Sequence, residues 1–149
     1  MTTARIGAAA AAFLFLAAPA MAQQEHLRFT SEPSPGFIYA LAYFLADSGL
    51  EEINLSVAEA DFNNDGRTDV LAFAENSYYC GSGGCGPRLF LGSKKSGFQV
   101  ADVHYLSSPA ANWYLTDRTT NGFRNAFVLG DDTEDNLVWD GEAYVLVDN

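Results

Sequence analysis

The residues best spaced for chemistry are Asp61, Asn63, Asp65 and Asp69. They put oxygen-bearing side chains at positions 1, 3, 5 and 9 of the single segment Asp61-Phe62-Asn63-Asn64-Asp65-Gly66-Arg67-Thr68-Asp69. Hard oxygen donors in that alternation suit calcium, which takes roughly six to eight of them at flexible geometry. Gly66 permits the sharp turn such a loop needs, the backbone carbonyl of Arg67 adds another oxygen, and Asp69 closes the set. The Arg67 side chain is expected to point away. Three aspartates this close repel one another, so a divalent cation would relieve the loop. Position 12, where a helix-flanked calcium loop carries glutamate, is Ala72, and the apolar run Val70-Leu71-Ala72-Phe73 follows, so a strand and not a second helix leaves the loop. The competing reading is a turn alone, with Asn64-Asp65-Gly66 hydrogen-bonding its own backbone.

Cys80 and Cys85 are the second candidate pair. Three glycines among the four residues between them suit a hairpin tip closed by a disulfide better than a redox motif, which keeps two residues between its cysteines and needs a neighbouring positive charge. A ring this small stabilises by about 2 kcal/mol in the chain-entropy picture. Tyr78, Tyr79 and Pro87 flank the tip, so it could contact a partner as well as end a hairpin. His26 and His104 are too far along the chain from the cysteines to suggest a zinc site. Asp131, Asp132, Glu134 and Asp135 read as a solvated turn, with a second cation site as the sharper alternative. Neither a nucleophile elbow, a metalloprotease helix motif nor a phosphate-cradling loop occurs.

These residues need a scaffold outside the cytoplasm. Arg5, the apolar stretch from Ile6 to Ala18, Pro19 and then Ala20-Met21-Ala22 form a secretory signal peptide over residues 1–22, with an apolar run too short to span a membrane. Export to the periplasm or beyond the cell follows, and an oxidising compartment favours the cysteine pair. Removing Arg5 with the leader takes the net charge from −11 to −12. Such a chain disfavours nucleic acid and, once the leader is gone, the membrane surface, and it favours cations or basic partners. Residues 23–149 have the length of one domain.

Along that domain, Ser34 caps a helix with Pro35 at its first position, Ile38, Leu41, Ala42 and Leu45 recur at helical spacing, and Gly49 stops it. Tyr39 and Tyr43 on its flank read as packing residues. Short apolar or alternating runs then succeed one another to the C-terminus, with Asn121-Gly122 and Asp140-Gly141 as two-residue hairpin turns. Residues 23–31 are either a lead-in or a short edge strand. The expected fold class is α+β: a mainly antiparallel sheet of six to seven short strands with one N-terminal amphipathic helix on its apolar face.

The segment Ala60-Asp61-Phe62-Asn63-Asn64-Asp65-Gly66-Arg67-Thr68-Asp69-Val70-Leu71, followed by Leu89-Phe90-Leu91-Gly92 and Gly97-Phe98, resembles the calcium loop of FG-GAP and VCBS repeats. Those repeats occur in integrin-like β-propellers and many secreted bacterial proteins. The resemblance implies calcium held structurally by Asp61, Asn63, Asp65 and Asp69, with Arg67 contributing its backbone oxygen. A propeller needs several blades and this chain carries one such segment, so the implication extends to the loop alone. The order of helix, acidic loop, Tyr79-to-Cys85 tip, Asn121-Gly122-Phe123-Arg124 turn and Trp139-Asp140-Gly141 hairpin also resembles a group of small exported bacterial proteins, a resemblance that brings no activity with it. The expected function is a non-enzymatic secreted or periplasmic binding module with a structural calcium, its partner a protein or a glycan. An inhibitor of a basic exported enzyme such as a lysozyme is the alternative. A metal-dependent hydrolase is the third, and it would need carboxylates converging in a pocket.

Overall fold

The computed structural model describes residues 23–95 and 97–147; the expected leader lies outside them. The helix α1 (Pro35–Ser48) begins and ends where its caps predict. Ser34 Oγ accepts the Phe37 N–H at 3.0 Å, Pro35 occupies the first turn, and Gly49 adopts φ 69° while donating its N–H to the Leu45 carbonyl at 2.9 Å. The face it buries is not the expected one. Gly36, Ala40 and Phe44 are buried, whereas Ile38 is 60% exposed and Ala42 is exposed too. α1 is apolar on most of its circumference, so spacing alone does not select a face; close approach does. A Cβ on Gly36 would collide with Val70 and Glu59, so glycine lets the helix backbone settle on the sheet there. One turn further along is Ala40, and after another turn Phe44 fills the gap, edge-on to Tyr79 and Phe90 with centroids 4.9 and 6.0 Å away. Tyr39 and Tyr43 pack against Phe90 from the flank, as expected.

The strands are β1 (Gln24–His26), β2 (Leu55–Ala60), β3 (Asp69–Ala74), β4 (Cys80–Gly81), β5 (Gly84–Cys85), β6 (Arg88–Gly92), β7 (Phe98–His104), β8 (Asn112–Thr120), β9 (Phe123–Leu129), β10 (Glu134–Trp139) and β11 (Ala143–Leu146). Nine of them form one sheet in the order β1-β8-β9-β10-β11-β7-β6-β3-β2, and β4 and β5 pair as a separate hairpin. All neighbours are antiparallel except β7 and β11. The mainly β, α+β class is as expected, but the sheet holds more strands than the six to seven predicted. β1 is the short edge strand that residues 23–31 left open as one of two readings. Its three exposed residues show no alternation, and it joins by main-chain pairing with β8.

The sheet curls until its two edges approach. Thr30, shortly after β1, exchanges two backbone hydrogen bonds of 2.9 Å with Val57 of β2. The concave side encloses Leu27, Phe62, Leu71, Phe73, Leu89, Trp113, Leu115, Leu137 and Trp139. A second apolar cluster lies outside the curl, between α1 and Leu55, Val57, Val70, Ala72, Ala74 and Phe90. β3 is therefore buried on both faces and reads as an unbroken apolar run after Asp69.

The Asn121-Gly122 turn forms as expected, whereas the second hairpin turns one residue later, at Gly141-Glu142, because Asp140 bonds across to Ala143. Asn121 and Gly122 take φ 50° and 85° between β8 and β9, the left-handed pair a two-residue turn requires. Between β10 and β11, Asp140 Oδ1 accepts the N–H groups of Ala143 and Glu142 at 2.9 and 2.8 Å, which hold its carboxyl below the usual carboxylate range.

The observed helix face yields a contrast between two single substitutions. Phe44→Ala should cost about 3–5 kcal/mol in urea unfolding, while Ile38→Ala should stay within about 0.5 kcal/mol. Equal losses would contradict the packing described.

Candidate functional site

Loop 61–69 links β2 to β3, and its geometry follows from where its carboxylates find donors. Asp61 accepts the N–H of Gly66 on one oxygen at 2.8 Å and that of Asp65 on the other at 3.1 Å. Asn63 Oδ1 shares the Asp65 N–H at 3.2 Å, and Asp65 Oδ1 accepts the Arg67 N–H at 2.9 Å. Asn64 and Gly66 take the positive φ values of 54° and 80° that fold the loop over these oxygens. The side-chain oxygens of Asp61, Asn63 and Asp65 thus lie over the loop's own amides.

Asp69 stands apart, fully buried at the base of the loop. Its Oδ2 accepts the Phe62 N–H and its Oδ1 the Gly92 N–H, each at 2.8 Å. Burial pushes its pKa up. The two N–H bonds pull it back down, and the negative charges of Asp65 and Asp61 push it up again. The Gly92 contact requires the absence of a side chain, because a Cβ there would stand 2.6 Å from the Thr68 carbonyl oxygen. Asp69 thereby ties the start of the loop to the end of β6.

The Arg67 side chain does not point away. Its guanidinium pairs with Asp65, and its Nε donates to the Gly92 carbonyl at 2.8 Å. The expectation missed this because three carboxylates in a half-enclosed loop draw in the nearest cation, and here that cation is within the loop. Among the described residues no three His, Cys, Asp or Glu side chains converge as a ready metal cluster. The donor set still fits calcium in kind, since every side-chain oxygen pointing into the loop is a carboxylate or amide oxygen. One guanidinium stands against three carboxylates.

Arg124 is the residue that spacing arguments passed over. It follows the Asn121-Gly122 turn and reaches both edges of the curl. Its N–H donates to the Phe62 carbonyl at 2.7 Å, its guanidinium contacts the Asp61 carbonyl at 3.4 Å and pairs with Glu25, and its Nε donates to the Thr116 carbonyl at 2.9 Å. The only signal for it was its place in the Asn-Gly-Phe-Arg turn, which says nothing of the partners.

The cysteine tip forms as predicted. Cys80 and Cys85 are disulfide-bonded across the β4–β5 pair, a state that fits an oxidising compartment. The tip is moored on two sides. Cys85 and Ser107 exchange backbone hydrogen bonds of 2.7 and 3.0 Å, and the Tyr79 hydroxyl donates to Asp47 at 2.8 Å; burial and that carboxylate push the phenol up to about 12. Tyr78 stays exposed. In the 131–135 cluster, Asp131 and Asp132 are exposed on a bend and Glu134 is exposed at the start of β10, while Asp135 accepts the Tyr105 hydroxyl at 2.6 Å. His26 stacks on Tyr114 at 4.7 Å, and with the cysteines oxidised the two histidines have no thiolate partner. Among the described residues no helix is long and apolar enough to cross a membrane.

Neither family models, nor characterised proteins, nor solved structures match this chain.

The Asp69 staple carries a measurable load. Asp69→Ala leaves the buried N–H groups of Phe62 and Gly92 without partners, and each should cost roughly 1–3 kcal/mol. Urea unfolding of the variant measures the sum; a loss under about 0.5 kcal/mol would show that the staple is dispensable.

Proposed function

We propose that this protein is a non-enzymatic binding module, exported to the periplasm or beyond the cell, whose loop 61–69 takes a structural calcium ion. The observation that carries the reading is geometric: the side-chain oxygens of Asp61, Asn63 and Asp65 gather in one loop above the buried Asp69, three carboxylates that repel one another with a single guanidinium paired to them. A divalent cation held by Asp61, Asn63 and Asp65, with the Arg67 carbonyl and Asp69 behind them, removes that repulsion. Arg67 is then the ion's built-in substitute, and calcium displaces it from Asp65. The likeness of the loop to FG-GAP and VCBS calcium loops supports the same reading. So does the scatter of the other carboxylates, Asp131 and Asp132 on one bend, Glu134 and Asp135 in β10 and Asp140 and Glu142 at the last hairpin, which suits a solvated surface more than a reaction centre.

A basic partner, such as a cationic exported enzyme held by an inhibitor, is the second reading. Net charge favours it, with 19 acidic side chains against 8 basic ones and exposed carboxylates at Asp131, Asp132, Glu134 and Glu142.

Thermal unfolding of chelator-treated protein tests the calcium reading. Calcium should raise the midpoint by roughly 4 °C for each kcal/mol of binding linkage, magnesium should do so far less, and Asp65→Ala should lose the calcium-dependent rise. The comparison is the rise within each variant, since the substitution also removes the Arg67 pair. An unchanged midpoint in millimolar calcium would reduce loop 61–69 to a turn.

A further inference from the structure

The outer surface of the sheet is covered by α1 over β2, β3, β6 and the start of β7. Over β8, β9 and β10 it carries a cavity of about 300 Å3. An irregularity in β8 shapes it. Leu115 pairs with Ala126 and Thr119 with Arg124, so residues 116–118 stand against the single residue Asn125 of β9. The surplus backbone bulges, and Asp117 and Arg118 become part of the cavity's lining. The bulge is held from both sides: Arg124 Nε donates to the Thr116 carbonyl at 2.9 Å, and Thr116 Oγ1 donates to the Asn125 carbonyl at 3.2 Å.

Phe127 and Val138 supply apolar lining, and Phe127 is fixed by stacking on Tyr114 at 4.8 Å and 9°. Part of the polar lining, Thr116 and Asn125, is bonded within the protein. Among the described residues, the side chains of Gln24, Asp117, Arg118, Glu134 and Asn136 make no hydrogen bond or ion pair within the protein. Asn136 is half-buried among them, and its side-chain amide stays accessible to a ligand from outside the protein. Here the space it faces is the cavity.

We propose that this cavity is a carbohydrate site, binding a neutral sugar or the end of a glycan. The inference rests on the chain being a binding module, and it stands whether or not loop 61–69 takes calcium. Two acids and one arginine line the cavity, so a phosphate or carboxylate ligand meets a net negative wall. A purely apolar ligand would strand the amides of Gln24 and Asn136. An uncharged, polyhydroxylated ring satisfies both demands, with its C–H groups against the apolar lining at Val138 and its hydroxyls on the amides and carboxylates around it. The volume is at the small end for ligand pockets, about 300–1,000 Å3, which fits a monosaccharide or a terminal unit.

The test is an NMR titration of the isotope-labelled protein, with and without calcium, using glucose, galactose, mannose, N-acetylglucosamine and their disaccharides. At least one sugar should produce saturable shifts of the Asn136 and Gln24 side-chain amides at roughly millimolar affinity. Asn136→Ala should weaken that binding by roughly tenfold, the loss of about 1.4 kcal/mol. Asp117→Ala, at an exposed position, should weaken it too in a variant whose fold is not in question. No saturable shift with any of these sugars overturns the proposal, as does binding indifferent to both substitutions. Sugar binding without a calcium response leaves the site standing and removes the calcium loop, and the converse result does the reverse.

Discussion

One buried carboxylate sets the terms for this end of the molecule. Asp69 has no access to water, so its charge must be met by donors the chain brings to it, and the donors are two backbone amides from segments far apart in sequence. That requirement places Phe62 in the interior and brings β6 against the loop, and it demands glycine at position 92. β3 starts at Asp69 and runs on between the two apolar clusters, so the same residue marks the point where a polar loop becomes the most enclosed strand of the sheet. Burying a charge this way is costly unless every lone pair is used. Here both oxygens have partners, which makes the loop's conformation specific.

Arg124 extends the constraint to the opposite edge of the sheet. It binds the loop through the carbonyls of Phe62 and Asp61, the first strand through Glu25, and the bulge in β8 through Thr116. Thr30 and Val57 close the curl between the same two edges. Loop 61–69 and the cavity on β8–β10 therefore share one side chain, although they differ in chemistry: one is a cluster of hard oxygens over a buried carboxylate, the other a cavity of mixed apolar and polar lining.

What could be read from the sequence was local. The helix ends were legible because Ser34, Pro35 and Gly49 act within a turn of their own positions, and the hairpins because Asn121-Gly122 and Asp140-Gly141 carry their own backbone preference, although the second turns at Gly141-Glu142. The disulfide was legible from compartment and spacing. Contact across distance was not. The helix face depended on Gly36 meeting Val70, which no periodicity encodes, and the parallel pairing of β7 with β11 depended on how the whole sheet curls. β1 has no alternation to detect. In the candidate site, spacing named the oxygen-bearing residues but misjudged the Arg67 side chain, and it could not see that Asn136, Gln24 and Glu134 meet on one surface.

In the proposed calcium site, the ion and the Arg67 guanidinium compete for Asp65. Calorimetric titration of calcium into chelator-treated protein tests this most directly, beside an Arg67→Ala variant. Calcium should bind saturably at a single site per chain, and more tightly in the variant because the competing guanidinium is gone. Absence of saturable binding in both proteins, or weaker binding in the variant, would contradict this reading.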